Sequence, residues 1–280
     1  MCHTGWMVRA LCGLLLWTSL ACGQPPSDAD AAAMIERARV KALAYEHSLP
    51  DFVCTEVIRR YSQGAPTVGY NFRGGVDPAA PAKSSWIPTD KLTVILTFFQ
   101  QKEEHKLIAI DGKPTDRKYD GLTGGVGAGE FGGTLESIFD PSSQTAFYWK
   151  SWKEVRKHRT AIYTYRVETA HSSFVVIDGE PGKTHQGVAG FHGDLEIDNE
   201  TGELLRFTYL VDDIPKNVKL DHTSTTVDYD FADVGGRRYP LPAHSISEIY
   251  SPRLSVRTET EFHEYRKFSS DSVIKFGDGK

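Results

Sequence analysis

The sequence predicts a mainly β chain of the α+β class: a curved antiparallel sheet wrapped around an N-terminal amphipathic helix and a short mid-chain helix. Three observations carry this expectation. Nearly everything after Pro50 alternates apolar and polar residues with period two, the spacing of a strand with one face buried. These runs, roughly ten to twelve of them, are mostly joined by short turns, which pairs neighbours antiparallel. Helical spacing over a long stretch occurs before Pro50 alone, so no strand–helix–strand alternation points to a parallel sheet.

Taken in order, the chain opens with the anatomy of an export signal over residues 1–23. Arg9 precedes an apolar run from Ala10 to Ala21, broken only by Gly13, Thr18 and Ser19, and small residues follow it. Those twelve residues span about 18 Å as a helix, too short for a bilayer core of about 30 Å. Met1 and Met7 both fit as the start. Ala21 and Gly23 suit signal-peptidase cleavage before Gln24, leaving residues 24–280 as one domain. The competing reading lipidates Cys22, although the leucine of such a signal stands at Leu20, with Ser19 in its usual place. The expected location is therefore the periplasm or the exterior, with a membrane anchor in the second case.

Removing 23 of 280 residues leaves 257, ordinary for a single all-β barrel or sandwich. Arg9 is the leader's one charged residue, so the formal net charge of −5 becomes −6. That balance argues against nucleic acid as a partner and against electrostatic docking to anionic lipid; membrane contact is expected only through a lipidated Cys22. Cys2, Cys12 and Cys22 fall in the leader, so Cys54 is alone in the mature chain and no internal disulfide can form. It sits in the strand-like run Phe52 to Ile58 with no adjacent His or Lys, and reads as a small buried hydrophobe.

Ser27-Asp28 can cap a helix in which Met34, Ile35, Ala38, Ala42, Leu43 and Leu49 form an apolar stripe before Pro50 ends it. In the run Leu92 to Phe99, Leu92, Val94, Leu96 and Phe98 share one face, while Thr93, Ile95, Thr97 and Phe99 make the other apolar enough to be buried too. Further strands carry Ala161, Tyr163, Tyr165 and Val167; Leu205, Phe207, Tyr209 and Val211; and Val227, Tyr229 and Phe231 before the turn Asp233 to Gly236. Leu254, Val256, Thr258, Thr260 and Phe262 oppose Arg257, Glu259, Glu261 and His263, the clearest strand with one wet face. Gln63 to Pro88 reads as a long loop with a short strand at Tyr70 to Phe72. Thr134 to Phe139 reads as a short helix stopped by Asp140-Pro141.

Motifs with chemistry are few. Gly127 to Gly132 matches a dinucleotide-binding glycine pattern, but no preceding strand and no second strand's acid accompany it. The glycine-rich stretch with Gly124, Gly125, Gly127 and Gly129 reads instead as a flap that could gate a cavity mouth. His185 and His192 are seven apart, which on one strand would face opposite sides, so no metal site is expected. No nucleophile elbow is present, no cofactor is expected, and no catalytic residue stands out. Phe147-Tyr148-Trp149 with Trp152 places four large rings within six residues. Core packing is one reading of these rings. The other is an incompletely filled concave face lined by Leu92, Val94, Leu96, Phe98, Phe147, Trp149, Tyr163 and Tyr165, suited to an acyl chain.

The segments Gly193 to Asp198, Thr201 to Arg206, Thr226 to Gly236 and Tyr239 to Pro242, following one N-terminal helix and a meander, resemble the lipoprotein-carrier and lipoprotein-sorting superfamily of the bacterial envelope. Leu49 to Thr55 and Tyr265 to Phe268 resemble a narrower group of exported bacterial proteins. The resemblance implies an incomplete barrel of about eleven strands with helices lidding its concave face. It also implies non-covalent binding of acyl chains or lipidated proteins, and it brings no catalytic residue. The acidic balance and the long Gln63 to Pro88 insertion depart from a minimal carrier. Three readings follow: an exported binding protein for a lipid, acyl chain or lipoprotein; a structural or protein-interaction module with a filled core; and a hydrolase with a dispersed site. The oligomeric state is not encoded in any pattern seen here.

Overall fold

A computed structural model describes residues 24–64, 85–122, 130–180, 183–252 and 254–269. The leader, Cys22, the run Tyr70 to Phe72 and the flap glycines Gly124, Gly125, Gly127 and Gly129 lie outside the described residues. Helix α1 spans Asp28–Ser48, with the Ser27 side chain accepting from the Asp30 backbone N–H as its N-cap. Strands β1 (Phe52–Gly64), β2 (Ile87–Phe99), β3 (Lys102–Ile110) and β4 (Lys113–Pro114) follow. Then come helix α2 (Gly133–Phe139), β5 (Ala146–Val155), β6 (His158–Val167), β7 (Val175–Glu180), β8 (Lys183–Val188) and β9 (Phe191–Asp198). The chain ends in β10 (Leu204–Val211), β11 (His222–Val234), β12 (Arg237–Tyr250) and β13 (Leu254–Lys267).

Eleven strands form one sheet in the order β4-β3-β2-β1-β13-β12-β11-β10-β9-β6-β5, and β7-β8 stands apart as a hairpin. All pairings are antiparallel, and β4 and β5 do not meet, so the barrel is incomplete. The β11–β12 hairpin turns through Gly235 and Gly236 at φ +66° and +85°, a conformation that glycine adopts without steric cost. Pairing extends beyond the sequence expectation at the ends of the long insertion. Ser62 opposes Ile87 and Tyr61 opposes Pro88, so β1 and β2 reach into residues that read as loop.

Helix α1 lies on the inner face of the sheet. Its buried side chains are Met34, Ile35, Ala38, Ala42 and Tyr45, while Leu43, expected in the stripe, is exposed. The steps of four, four and three residues from Met34 through Ala38 and Ala42 to Tyr45 explain the substitution. Tyr45 donates its hydroxyl to the Pro240 carbonyl at 2.8 Å and meets Tyr229 edge-on at 5.8 Å. Lys41 pairs with Glu203 at 2.7 Å and Arg39 donates to the Phe139 carbonyl, tying α1 to the β9–β10 turn and to α2. The β2 strand is buried fully on its Leu92 face. On the opposite face only Ile95 is buried, and Phe99 reaches solvent, so burial on both faces is partial.

Candidate functional site

The strand registers set which side chains share the inner face. Ile58 opposes Thr260, which opposes Ser245, then Val227, Phe207, Leu195, Tyr163 and Trp149 across the sheet. One row further, Thr258 opposes Ser247, which opposes Thr225 and then Tyr209. The inner face is thus aromatic and aliphatic from β5 to β10, where α1 covers it, and rich in hydroxyls from β11 to β13. Thr225 and Ser247 hydrogen-bond at 2.9 Å, and Thr223 donates to the Glu248 carbonyl. Thr223 and Thr225 are buried, so each of their hydroxyls needs such a partner to avoid a desolvation cost.

The eight residues expected to line a cavity are packed rather than hollow. Leu96 and Phe98 join the main core, with Phe98 and Phe131 each stacked or tilted against Phe52 at 5.1 and 5.4 Å. Leu92 and Val94 form a second cluster with Ile58 and Leu107. Tyr163 and Tyr165 are buried beneath the α1 end of the sheet, Tyr165 donating to the Thr208 carbonyl. Trp149 packs against Tyr163 and Trp152, and Phe147 stacks on Phe139 of α2.

Open space lies farther along the same face. One cleft of about 250 Å³ runs between the β7–β8 hairpin and β10–β12, walled by Phe174, Val176, Leu220 and Ile249 and floored by Thr223, Thr225 and Ser247. Val175 and Ile177 on the hairpin border it and are 48% and 55% exposed. A second cleft, about 450 Å³, is lined by β1, β2 and β13, Val256 and Thr258 among them, together with Arg117 and Leu122. None of the eight expected residues lines either cleft.

Glu130 closes the inner end of the first cleft, 7% exposed, its carboxylate accepting from Ser245 Oγ at 3.3 Å. Its backbone carbonyl accepts from the Tyr229 hydroxyl at 2.7 Å, and the next residue, Phe131, is wedged among Phe52, Phe98 and Phe262. Burial, reinforced by the Glu56 and Glu103 carboxylates, pushes the Glu130 pKa up to about 7. Glu56 points inward from β1 and is 4% exposed; one oxygen lies 3.6 Å from His105 Nε2 and the other, Oε2, has no hydrogen-bond partner. The His105 ring stacks on Tyr119 at 4.8 Å. Burial pulls its pKa down, but the Glu56 carboxylate outweighs this and the net shift is upward.

Both shifts give one sign of pH dependence. Glu130 holds a proton in the folded state that an exposed glutamate loses, so its stabilising contribution is complete below about pH 4.5 and gone above about pH 7. His105, also raised, keeps its contribution below the ordinary histidine pKa of about 6.5 and loses it as pH rises above that. Glu130→Gln is expected to match the wild type near pH 4.5 and exceed its stability by about 2–3 kcal/mol at pH 8. Urea unfolding at several pH values measures this; parallel pH profiles for the two proteins would contradict it.

Neither Glu56 nor Glu130 was singled out from the sequence, although Glu56 could have been. It occupies the inward phase of a strand between Cys54 and Ile58, a position that alternation assigns to the core. The Cys54 thiol is buried and pushed above its ordinary pKa, first by burial and then by Glu56, as a small core hydrophobe requires. His185 and His192 sit on β8 and β9, beside Asp178 and Asp212 respectively, and do not face one another along one strand.

Three solved structures are similar to this chain. A LolA superfamily protein from Nitrosomonas europaea is 9% identical, with a TM-score of 0.34 over 85% of this chain and 94% of that one. An outer membrane lipoprotein-sorting protein domain from Vibrio parahaemolyticus is 10% identical, with a TM-score of 0.35 over 86% and 94%. A DUF1329 family protein from Desulfovibrio piger is 10% identical, with a TM-score of 0.34 over 86% and 94%. The likeness is one of fold. The first two carry the names of the superfamily that the sequence resembles. No family model matches the chain, and no curated protein does. Among the described residues, no helix is long and apolar enough to cross a membrane.

Proposed function

We propose that this is an exported binding protein of the cell envelope that holds a lipid-like ligand in the open part of its concave face. The observation that carries this is the cleft beside β10–β12: its walls are apolar, its floor is hydroxyl-bearing, and two exposed aliphatic side chains border it. A soluble protein that leaves Val175 and Ile177 in water beside an apolar groove carries a cost that an acyl chain would remove. The leader read from the sequence supports a location where envelope lipids are met, with Cys22 either discarded or kept as an anchor. The lipoprotein-sorting names among the similar structures agree with a carrier.

Native mass spectrometry after gentle extraction tests the reading, together with uptake of a fluorescent fatty acid. A co-purifying lipid and saturable uptake are expected; a bare chain that takes up no probe would sink it. Ile177→Asp places a charge on the cleft's border at an exposed position. It is expected to weaken probe binding at least tenfold while changing stability by no more than about 0.5 kcal/mol. Unchanged binding would remove the hairpin from the site. The structural-module reading keeps the packed α1 face in its favour and predicts no uptake.

A further inference from the structure

We infer that the cleft beside β10–β12 is selective for amphiphiles whose polar end is a protonated amine, received by Glu130, and disfavours anionic ones. This rests on the binding reading above and names its ligand class. Glu130 is the one charged residue among those lining the cleft; the rest are hydroxyl-bearing or apolar. Its only side-chain partner among the described residues is the long hydrogen bond from Ser245, which leaves capacity for a further donor.

A second observation points to the same chemistry. Glu56 is also buried on this inner face, and its Oε2 has no hydrogen-bond partner. Its register beside Phe262 sets it next to the Thr260–Ser245 pair against which Glu130 rests. The Glu56 carboxylate raises the cost of ionising Glu130, and among the described residues no Lys or Arg pairs with either. A buried carboxylate without a counter-ion is disfavoured, and a ligand cation supplies that counter-ion. An anionic head would meet the repulsion of both. A metal ion fits less well, because among the described residues no group of three or more potential ligands is gathered. The titratable groups whose charges act on Glu130 are Glu56 of β1, Glu103 and His105 of β3, Tyr119 after β4, Tyr209 of β10 and Tyr229 of β11. A protonated His105, favoured by the net upward shift of its pKa, adds positive charge and opposes an amine.

Displacement of the uncharged probe N-phenyl-1-naphthylamine from the full chain tests this, using dodecylamine, dodecanol and dodecanoate at pH 8. Dodecylamine is expected to displace it at least tenfold more tightly than dodecanoate, with dodecanol between them. Glu130→Gln is expected to bring amine and alcohol within about twofold. For the wild type, the amine preference is expected to shrink at least threefold at pH 5.5, where Glu130 is protonated, a readout that needs no variant. Lysophosphatidylethanolamine against lysophosphatidylglycerol separates a headgroup amine from a free one, and preference for either amine supports the inference. Equal displacement by all three twelve-carbon probes, or an amine preference retained in Glu130→Gln, would overturn it while leaving the carrier reading intact. No displacement by any amphiphile would overturn both.

Discussion

Gly193→Ala is expected to prevent the sheet from forming in its native register. A Cβ at Gly193 would stand 2.0 Å from the Thr208 carbonyl oxygen, 2.7 Å from its carbon and 3.0 Å from Tyr209 Cα. All three are backbone atoms of β10, which cannot rotate aside as a side chain would. The strand would have to shift, and two side-chain hydrogen bonds hold it in place: Asp194 N–H to Thr208 Oγ1 and Tyr165 hydroxyl to Thr208 O. The requirement at this glycine is for close approach. The expected cost is about 4 kcal/mol or more, a large part of a typical domain's stability. Circular dichroism and urea unfolding measure it; a midpoint near the wild type's would show that β9 and β10 are farther apart than described.

Phe52→Ala is expected to cost about 3–5 kcal/mol, the range for removing a fully buried aromatic ring. Phe52 stacks on Phe98 at 5.1 Å and meets Phe131 and Tyr265 at 5.4 Å each. Phe131 holds the segment that carries Glu130 against the sheet, so the vacated volume lies directly behind the candidate site. The variant is therefore expected to weaken amine preference as well as stability, whereas Phe52→Leu, which refills most of the space, should cost about 1–2 kcal/mol. A Phe52→Ala protein that unfolds within about 1 kcal/mol of the wild type would mean that the cluster is loosely packed.

Much of the architecture is legible in local pattern. Pro50 ends α1 as expected, the Gly235-Gly236 turn joins β11 to β12, and the alternation of β13 places Thr258, Thr260 and Phe262 inward. These features depend on spacing of two or near 3.6 residues and on turn chemistry, which neighbouring residues determine. The β7–β8 hairpin was missed because Val175-Val176-Ile177 is short and its partner strand, Lys183–Val188, has little apolar alternation. The open cleft was missed for the same reason, since the hairpin is one of its walls.

The sequence by itself determined the order of elements apart from the β7–β8 hairpin, the antiparallel class and the inward phase of the long strands, Glu56 included, because those follow from periodicity within a segment. It also set the mild acidic charge. Whether the concave face is filled or open was decided only by the tertiary structure. The same alternation describes a strand covered by α1 and one left beside a cleft. What separates Tyr163 from Thr225 is the position of a helix more than a hundred residues away in the chain, which no local pattern records. Glu130 shows this most clearly. It lies outside any strand, and its carboxyl is buried because Phe131 is gripped by Phe98, Phe52 and Phe262 of the neighbouring strands β2, β1 and β13, which come from opposite ends of the chain's order.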